Sequence, residues 1–176
     1  MGRLGFYFDA RFCIACNACS IACKDKNALW DGQFFRTIIT FEHGVVGFYS
    51  ASCNHCAKGA CVSACPQNAI QVKEDGTVVI DPEDCIGCGA CATACPYQVI
   101  GINQTRGKAA KCDACADLRE KGRKPACVDA CLTQCLDFGD LDELAKQYGP
   151  GLVRQNAVLP PPSRTEPSLL IHPRNI

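Results

Sequence analysis

The sequence lacks several features that would assign it to a common class. No stretch of its 176 residues approaches eighteen consecutive apolar residues, so we expect no transmembrane helix. The opening segment, MGRLGFYFDARFC, has no apolar run of signal-peptide length, and Phe6 breaks the myristoylation pattern. We therefore expect no export signal or lipid anchor of its own. The formal net charge of 0 also argues against a nucleic-acid-binding protein.

Cysteine, by contrast, is abundant. Seventeen cysteines in a chain of this length indicate either a disulfide scaffold or a metal-loaded protein. An odd count, closely spaced cysteines and the absence of a secretion signal argue against disulfides. A zinc module would use two separated C-x2-C pairs or a mixed Cys/His set, whereas this chain crowds its cysteines together and has only three histidines.

Sixteen of the cysteines form four groups of four along the chain. The first and third groups both have the spacing C-x2-C-x2-C-x3-C, and the second group has C-x2-C-x4-C-x3-C. The last group has the longer spacing C-x2-C-x11-C-x3-C, and Cys135 is left over. The four groups are Cys13, Cys16, Cys19 and Cys23; Cys53, Cys56, Cys61 and Cys65; Cys85, Cys88, Cys91 and Cys95; and Cys112, Cys115, Cys127 and Cys131.

These spacings are typical of 4Fe-4S clusters. A C-x2-C-x2-C loop places three thiolates around one small volume, and in the bacterial run C-x2-C-x2-C-x3-C-P the fourth cysteine ligates the other cluster. The C-x3-C-x2-C run of radical S-adenosylmethionine enzymes is absent. The pattern therefore predicts electron carriers without catalytic residues, and it predicts four 4Fe-4S clusters.

The segments between the groups predict small hairpins and short helices. AIQVKEDGTVVID predicts a hairpin turning at Asp75-Gly76, and two further hairpins are expected near His43-Gly44 and Arg106-Gly107. Helices are expected from Asp117 to Gly122 and from Leu141 to Tyr148. After these, residues 149–176 are rich in proline and predict an extended tail that contacts this domain or a partner.

Several sequence motifs resemble one known family. SCNHC at Cys53, DGTVVID before CIGC, ACPY at Cys95, KCDAC and GRKPACVDAC occur in the order seen in the iron-sulfur beta subunits of the dimethyl sulfoxide reductase family. The resemblance runs from Gly5 to Lys146, and weakly into TEPSLLIHP. It implies an α+β fold made of tandem bacterial-ferredoxin units with pseudo-twofold symmetry. The four-cluster domain would span residues 1–148, with an outer half (1–50 plus 104–148) and an inner half (51–103).

The resemblance also implies how the cysteines are shared among the clusters, because the fourth cysteine of each group crosses to another group. We name the four implied ligand sets site 1 to site 4. They are site 1, Cys13, Cys16, Cys19 and Cys131; site 2, Cys112, Cys115, Cys127 and Cys23; site 3, Cys53, Cys56, Cys61 and Cys95; and site 4, Cys85, Cys88, Cys91 and Cys65.

Three positions bear on this assignment. Nitrate-reductase-like relatives carry Trp at the position of Cys88 and hold a 3Fe-4S cluster, but this chain keeps the cysteine. Leu132 follows Cys131 where relatives usually have proline. Either Cys131 or Cys135 is then a candidate fourth ligand of site 1. The C-x3-C spacing favours Cys131, which would leave Cys135 as a small buried hydrophobic residue.

The resemblance implies the partners as well. Such subunits pass electrons between a molybdenum or tungsten bis-pterin catalytic subunit and a membrane quinone-reactive anchor. The location would be cytoplasmic, or extracytoplasmic if the protein is exported with a twin-arginine catalytic partner. A freestanding polyferredoxin and a structural zinc module are the alternatives. Basic side chains near the ligands are candidates to offset the cluster charge: Lys24, Lys58, Lys108 and Lys111.

Overall fold

A three-stranded sheet joins the two ends of the chain. In the computed structural model, which describes residues 2–43 and 45–174, strand β1 (Leu4–Asp9) lies in the centre of this sheet. It pairs antiparallel with β8 (Leu136–Asp140) and parallel with β9 (Leu169–His172). The aromatic side chains of β1 are at most 2% exposed. Their burial explains why a segment as short as LGFYFD anchors the sheet.

The described residues also form three two-stranded antiparallel sheets, which confirm the three predicted hairpins. The turn residue Gly44 and the side chain of His43 lie outside the described residues. The paired strands are β2 (Arg36–His43) with β3 (Val45–Ser52), β4 (Ile70–Val72) with β5 (Val78–Ile80), and β6 (Gly101–Asn103) with β7 (Lys108–Ala110).

The helices are short, and most of them carry cysteines. They are α1 (Ala18–Lys26), α2 (Ala60–Ser63), α3 (Ala90–Ala94), α4 (Ala116–Arg119), α5 (Ala126–Asp129) and α6 (Leu141–Tyr148). Helix α6 is confirmed as predicted, capped by the Asp140 carboxylate, which accepts hydrogen bonds from two backbone N–H groups. The predicted helix from Asp117 to Gly122 is wrong at its end. The helix stops at Arg119, and the chain then turns to Gly122, whose φ is +70°.

The C-terminal segment returns to the domain. Side chains of β9 are buried, with Ile171 only 1% exposed. Before β9, a short 3-10 helix (Pro162–Arg164) leads into a stretch beside the second cysteine group. There the backbone N–H groups of Ala57 and Lys58 donate to the carbonyls of Glu166 and Thr165. This segment therefore covers the loop that carries Cys53 and Cys56.

Two main cores contain most of the buried cysteines. The larger core combines Phe6 and Phe8 of β1 with cysteines of the first and last groups. The smaller core combines Ile70, Val78 and Ile100 with cysteines of the third group. The thiols are thus part of the hydrophobic interior. None of the described helices has the length and hydropathy needed to cross a membrane.

Candidate cluster sites

The four C-x2-C loops share one backbone feature. The residue directly before the second cysteine has a positive φ in every loop: Ala15 (57°), His55 (42°), Gly87 (70°) and Ala114 (58°). This left-handed turn curls the backbone around the first thiol, and the Ala114 N–H donates to Cys112 Sγ at 3.3 Å. The loops therefore present thiols inward on a recurring local geometry.

Three of the four expected ligand sets line separate cavities. In each cavity, three cysteines of one group face one cysteine from another group. Among the described residues, no three His, Cys, Asp or Glu side chains are placed to hold a single metal ion. The cavities are lined by Cys13, Cys16, Cys19 and Cys131, together with Cys135 (site 1); by Cys53, Cys56, Cys61 and Cys95 (site 3); and by Cys65, Cys85, Cys88 and Cys91 (site 4).

Two of the four expected site 2 cysteines lie on helices α1 and α5, which pack against each other. Cys23 lies on α1 and Cys127 on α5, and both are buried. Burial raises the pKa of Cys23 to about 12, and the neighbouring thiols of Cys127 and Cys115 add to this effect. Burial also places the pKa of Cys112 well above its ordinary value. These four thiols are thus near enough to influence one another's charge.

The buried thiols fit an iron-sulfur core. Burial raises the pKa of Cys56 and of Cys61 to about 11 each, so a thiolate at either position requires a nearby positive charge. An iron core supplies that charge by direct ligation, and thiolate is its preferred ligand. The donor set is therefore suited to 4Fe-4S clusters.

Arg36 adds an observation that sequence reasoning missed. It is 2% exposed, and its Nη1 donates to the carbonyl and the hydroxyl of Ser50 at 3.1 and 2.9 Å. Its Nη2 is buried and has no hydrogen-bond partner among residues 2–43 and 45–174. Burial lowers the pKa of Arg36, but the thiols of Cys127, Cys112, Cys19 and Cys23 outweigh this and raise it above its ordinary value. The strand predicted at RTIITFEH could have suggested that Arg36 faces inward, because neighbouring residues of a strand face opposite sides and Thr37 is exposed.

The predicted lysines divide into two kinds. Lys108 donates to the Cys85 carbonyl at 2.6 Å, and buried Lys111 donates to the carbonyls of Val78 and Cys112. Lys24 donates to three carbonyls after helix α1. These three lysines hydrogen-bond to backbone carbonyls, and two of them bond to the carbonyls of expected ligands. Lys58 instead forms an exposed ion pair with Glu166.

Cys135 lies beside two expected ligands of site 1. Its Sγ is 3.5 Å from Cys131 Sγ, and it is 4% exposed. A side-chain hydrogen bond from Cys135 lowers the pKa of Cys13 to about 6, and the same bond raises the pKa of Cys135 itself. The leftover cysteine is therefore a fifth thiol at this site.

The turns that follow three of the fourth cysteines are alike. Asn68, Gln98 and Gln134 each stand three residues after such a cysteine, and each has a φ of 52° or 53°. Each donates its N–H to the carbonyl of that cysteine, at 3.1 to 3.3 Å. Leu132 therefore allows the same turn as Pro66 and Pro96. Cys135 then occupies the position of buried Ala69 in the second group.

Comparison with known proteins finds one matching family model and several similar chains. The model of a 4Fe-4S dicluster domain matches residues 45–141. The sequence is 40% identical to one chain of the anaerobic dimethyl sulfoxide reductase of Escherichia coli (strain K12), over 97% of this chain and 89% of the relative. It is 40% identical to the thiosulfate reductase electron transfer subunit of Salmonella typhi, over 77% and 74%. It is 34% identical to one chain of the polysulfide reductase of Wolinella succinogenes, over 97% and 94%.

Proposed function

Because this chain belongs to the iron-sulfur electron-transfer subunits of the dimethyl sulfoxide reductase family, we propose that it relays single electrons through four 4Fe-4S clusters. The protein is an electron-transfer subunit of a reductase complex and not an enzyme by itself. When bound, the clusters supply one-electron redox chemistry. The protein holds, separates and shields them. The observation that carries the proposal is that three separate cavities are each lined by four expected ligands. In each cavity, three of these cysteines come from one group and the fourth comes from another group.

We propose the ligand sets of sites 1 to 4 as the family resemblance implies them. The cavities at sites 1, 3 and 4 support the crossed pairing, because each combines cysteines from two groups. The contact of α1 with α5 supports the pairing of Cys23 with the last group. The repeated C-x2-C turn and the repeated turn after the fourth cysteine support a tandem, pseudo-twofold arrangement of two ferredoxin units. We retain the outer half and the inner half as the proposed division of residues 1–148, and we propose that the segment 149–176 packs on this domain through β9, which pairs with β1.

Cys131 is the proposed fourth ligand of site 1. Its turn matches the turns after Cys65 and Cys95, the fourth ligands of sites 4 and 3. Cys135 takes the position of a buried apolar residue, and its short contact with Cys131 suits a thiol that keeps its proton. Cys135 is therefore a neighbour of the cluster and not one of its ligands.

The arrangement of the elements also supports an order for the relay. Helix α1 carries ligands of sites 1 and 2, and helices α2 and α3 carry ligands of sites 3 and 4. His55 lies between Cys53 and Cys56 of site 3 in the sequence, and its ring is 4.0 Å from Cys112 of site 2. This contact brings sites 2 and 3 together. Cys16 of site 1 and Cys88 of site 4 are exposed. Electrons would therefore pass along sites 1, 2, 3 and 4, entering and leaving at the two ends.

The partner is proposed to be a molybdenum or tungsten bis-pterin catalytic subunit, with a membrane quinone-reactive anchor as a further partner. The names of the relatives support a reductase complex, because they describe chains or subunits of dimethyl sulfoxide, thiosulfate and polysulfide reductases. Exposed apolar side chains next to the ends of the relay suit contact with such subunits: Ile14 and Leu132 near site 1, and Ile86 near site 4.

Iron analysis and copurification test the proposal. Anaerobically purified protein should contain about sixteen irons and sixteen sulfides per molecule, and about four electrons should be needed to reduce it. A zinc-loaded protein without sulfide would contradict the clusters. Purification of a tagged form from its native host should recover a pterin-containing subunit. If the tagged protein is recovered alone with its clusters intact, the freestanding polyferredoxin is the better description.

A further inference from the structure

Arg36 is a buried cation. None of the ion pairs formed by the described residues includes it, although the residue is only 2% exposed. Its Cζ atom lies 4.5 Å from the centre of the Phe6 ring, and Phe6 is itself buried. Burying a charge without a compensating anion is strongly unfavourable. The interior must therefore supply negative charge near Arg36.

The thiols around Arg36 can supply that charge once they ligate iron as thiolates. Cys19 belongs to site 1, and Cys23, Cys112 and Cys127 belong to site 2; all four raise the pKa of Arg36. Ser50 connects the guanidinium to site 1, because its Oγ accepts from Arg36 and lies 3.6 Å from Cys19 Sγ. Strand β2, which begins at Arg36, also packs against helix α1, and that helix carries Cys23 of site 2. Arg36 is thus placed beside both sites.

One terminal nitrogen of the guanidinium, Nη2, takes no part in these contacts. Nη1 is occupied by Ser50, whereas Nη2 is buried with no acceptor among the residues that the structure describes. A buried N–H group of this kind normally has a partner. The sulfur atoms of a cluster accept hydrogen bonds, and such bonds are among the factors that set cluster potentials.

We propose that Arg36 is a potential-setting residue shared by the clusters of sites 1 and 2, with Nη2–H donating to cluster sulfur. This inference rests on the proposed function. Reduction adds one electron to the cluster, taken from a reduced mediator, and Arg36 keeps its proton throughout. The positive charge and the hydrogen bond both favour the more negative, reduced state. Arg36 therefore raises the reduction potentials of two of the four clusters.

The test is a set of anaerobic redox titrations followed by EPR. The signals of sites 1 and 2 are identified as those lost in Cys131→Ala and Cys23→Ala. In Arg36→Gln we expect the reduction equilibria of these two clusters to fall about tenfold, equivalent to about 59 mV for one electron. In Arg36→Lys, which keeps the charge but loses the planar fork, we expect a fall of about two- to threefold in the same two clusters.

Arg154→Gln is the matched control. Arg154 is exposed, and its Nη1 donates to the Pro167 carbonyl at 3.3 Å in the C-terminal segment. The same loss of one positive charge there should leave the potentials of sites 1 and 2 unchanged. If Arg36→Gln does not assemble, Arg36→Lys decides. The proposal is overturned if Arg36→Lys leaves all four potentials unchanged or shifts all four alike. Wild-type protein with fewer than four clusters would instead refute the proposed function.

Discussion

His55 Nε2 lies 4.0 Å from Cys112 Sγ, although His55 lies in the loop of the second cysteine group and Cys112 belongs to the last group. The other ring nitrogen, Nδ1, accepts a hydrogen bond from the Val78 N–H at 3.0 Å. The ring proton of the neutral imidazole must then be on Nε2, the nitrogen that faces Cys112. Burial keeps the pKa of His55 well below its ordinary value, so the neutral form persists. His55 therefore acts as an acceptor for a strand and as a donor toward a thiol.

Replacing His55 should affect stability through Val78. His55→Leu leaves the buried Val78 N–H without an acceptor, which costs about 1–3 kcal/mol. His55→Asn keeps an acceptor near the Nδ1 position and should retain part of that stability. The measurement is the apparent Tm of the anaerobic protein, followed by the visible absorbance of the clusters. Equal Tm values for His55→Leu and wild type would show that this hydrogen bond contributes nothing.

The crossed pairing predicts that replacing Cys23 affects the cluster held by the last cysteine group and not the cluster held by the group that contains Cys23. Cys23→Ser should disturb the site 2 cluster, whose other ligands come from the last group, and leave the site 1 cluster intact. About four of about sixteen irons are then at risk. EPR together with iron analysis checks this. Loss of the site 1 signal with the site 2 signal preserved would contradict the pairing.

Cys131 and Cys135 should respond differently to the same substitution. Cys131→Ala removes a proposed ligand, so the site 1 cluster should be lost or converted to a species with fewer irons. Cys135→Ala should retain all the iron, because Cys135 occupies the place of a buried apolar residue. Iron content and EPR of the two variants, purified in parallel, decide between them. Iron loss in Cys135→Ala alone would make Cys135 the ligand.

The C-terminal strand should contribute to the stability of the whole domain. Ile171 is 1% exposed and pairs with Phe8 in the central sheet. Ile171→Ala should cost about 2–5 kcal/mol, the usual range for this substitution in a core. Ile39→Ala is the matched control, since Ile39 is 37% exposed, and it should lower the apparent Tm by much less. Similar losses in both variants would mean that β9 is not integral to the core.

Asp137 should give a pH-dependent contribution. Burial alone would raise the pKa of Asp137, but hydrogen bonds from Lys124 (2.6 Å) and Tyr148 (2.8 Å) outweigh it and hold the pKa below its ordinary value. A carboxyl group with a lowered folded-state pKa stabilises the protein fully above its unfolded pKa of about 3.9. This contribution is lost as the pH falls through the folded-state value.

The difference between wild type and Asp137→Asn isolates this contribution, because acid damage to the clusters affects both proteins. The difference in apparent Tm should be largest near neutral pH and should shrink below about pH 4. A difference that does not change with pH would mean that Asp137 acts only through packing.

Local patterns predicted much of the architecture. The Asp75-Gly76 turn between alternating apolar residues predicted β4 and β5, and Gly149-Pro150 predicted the end of α6. The C-x2-C spacing predicted loops that gather thiols, and in each loop one left-handed residue before the second cysteine curls the backbone around the first thiol. The helix after Asp117 was predicted too long, since polar residues continue past Arg119 while the backbone turns at Gly122.

The sequence by itself determined which loops present thiols, because cysteine spacing and turn chemistry act over a few residues. Only the tertiary structure decided what surrounds those thiols. The pairing of Phe8 with Ile171, the burial of Arg36 among thiols of two sites and the reach of His55 to Cys112 join segments far apart in the sequence. No local pattern encodes such contacts, because burial and charge compensation depend on every segment that packs around a side chain.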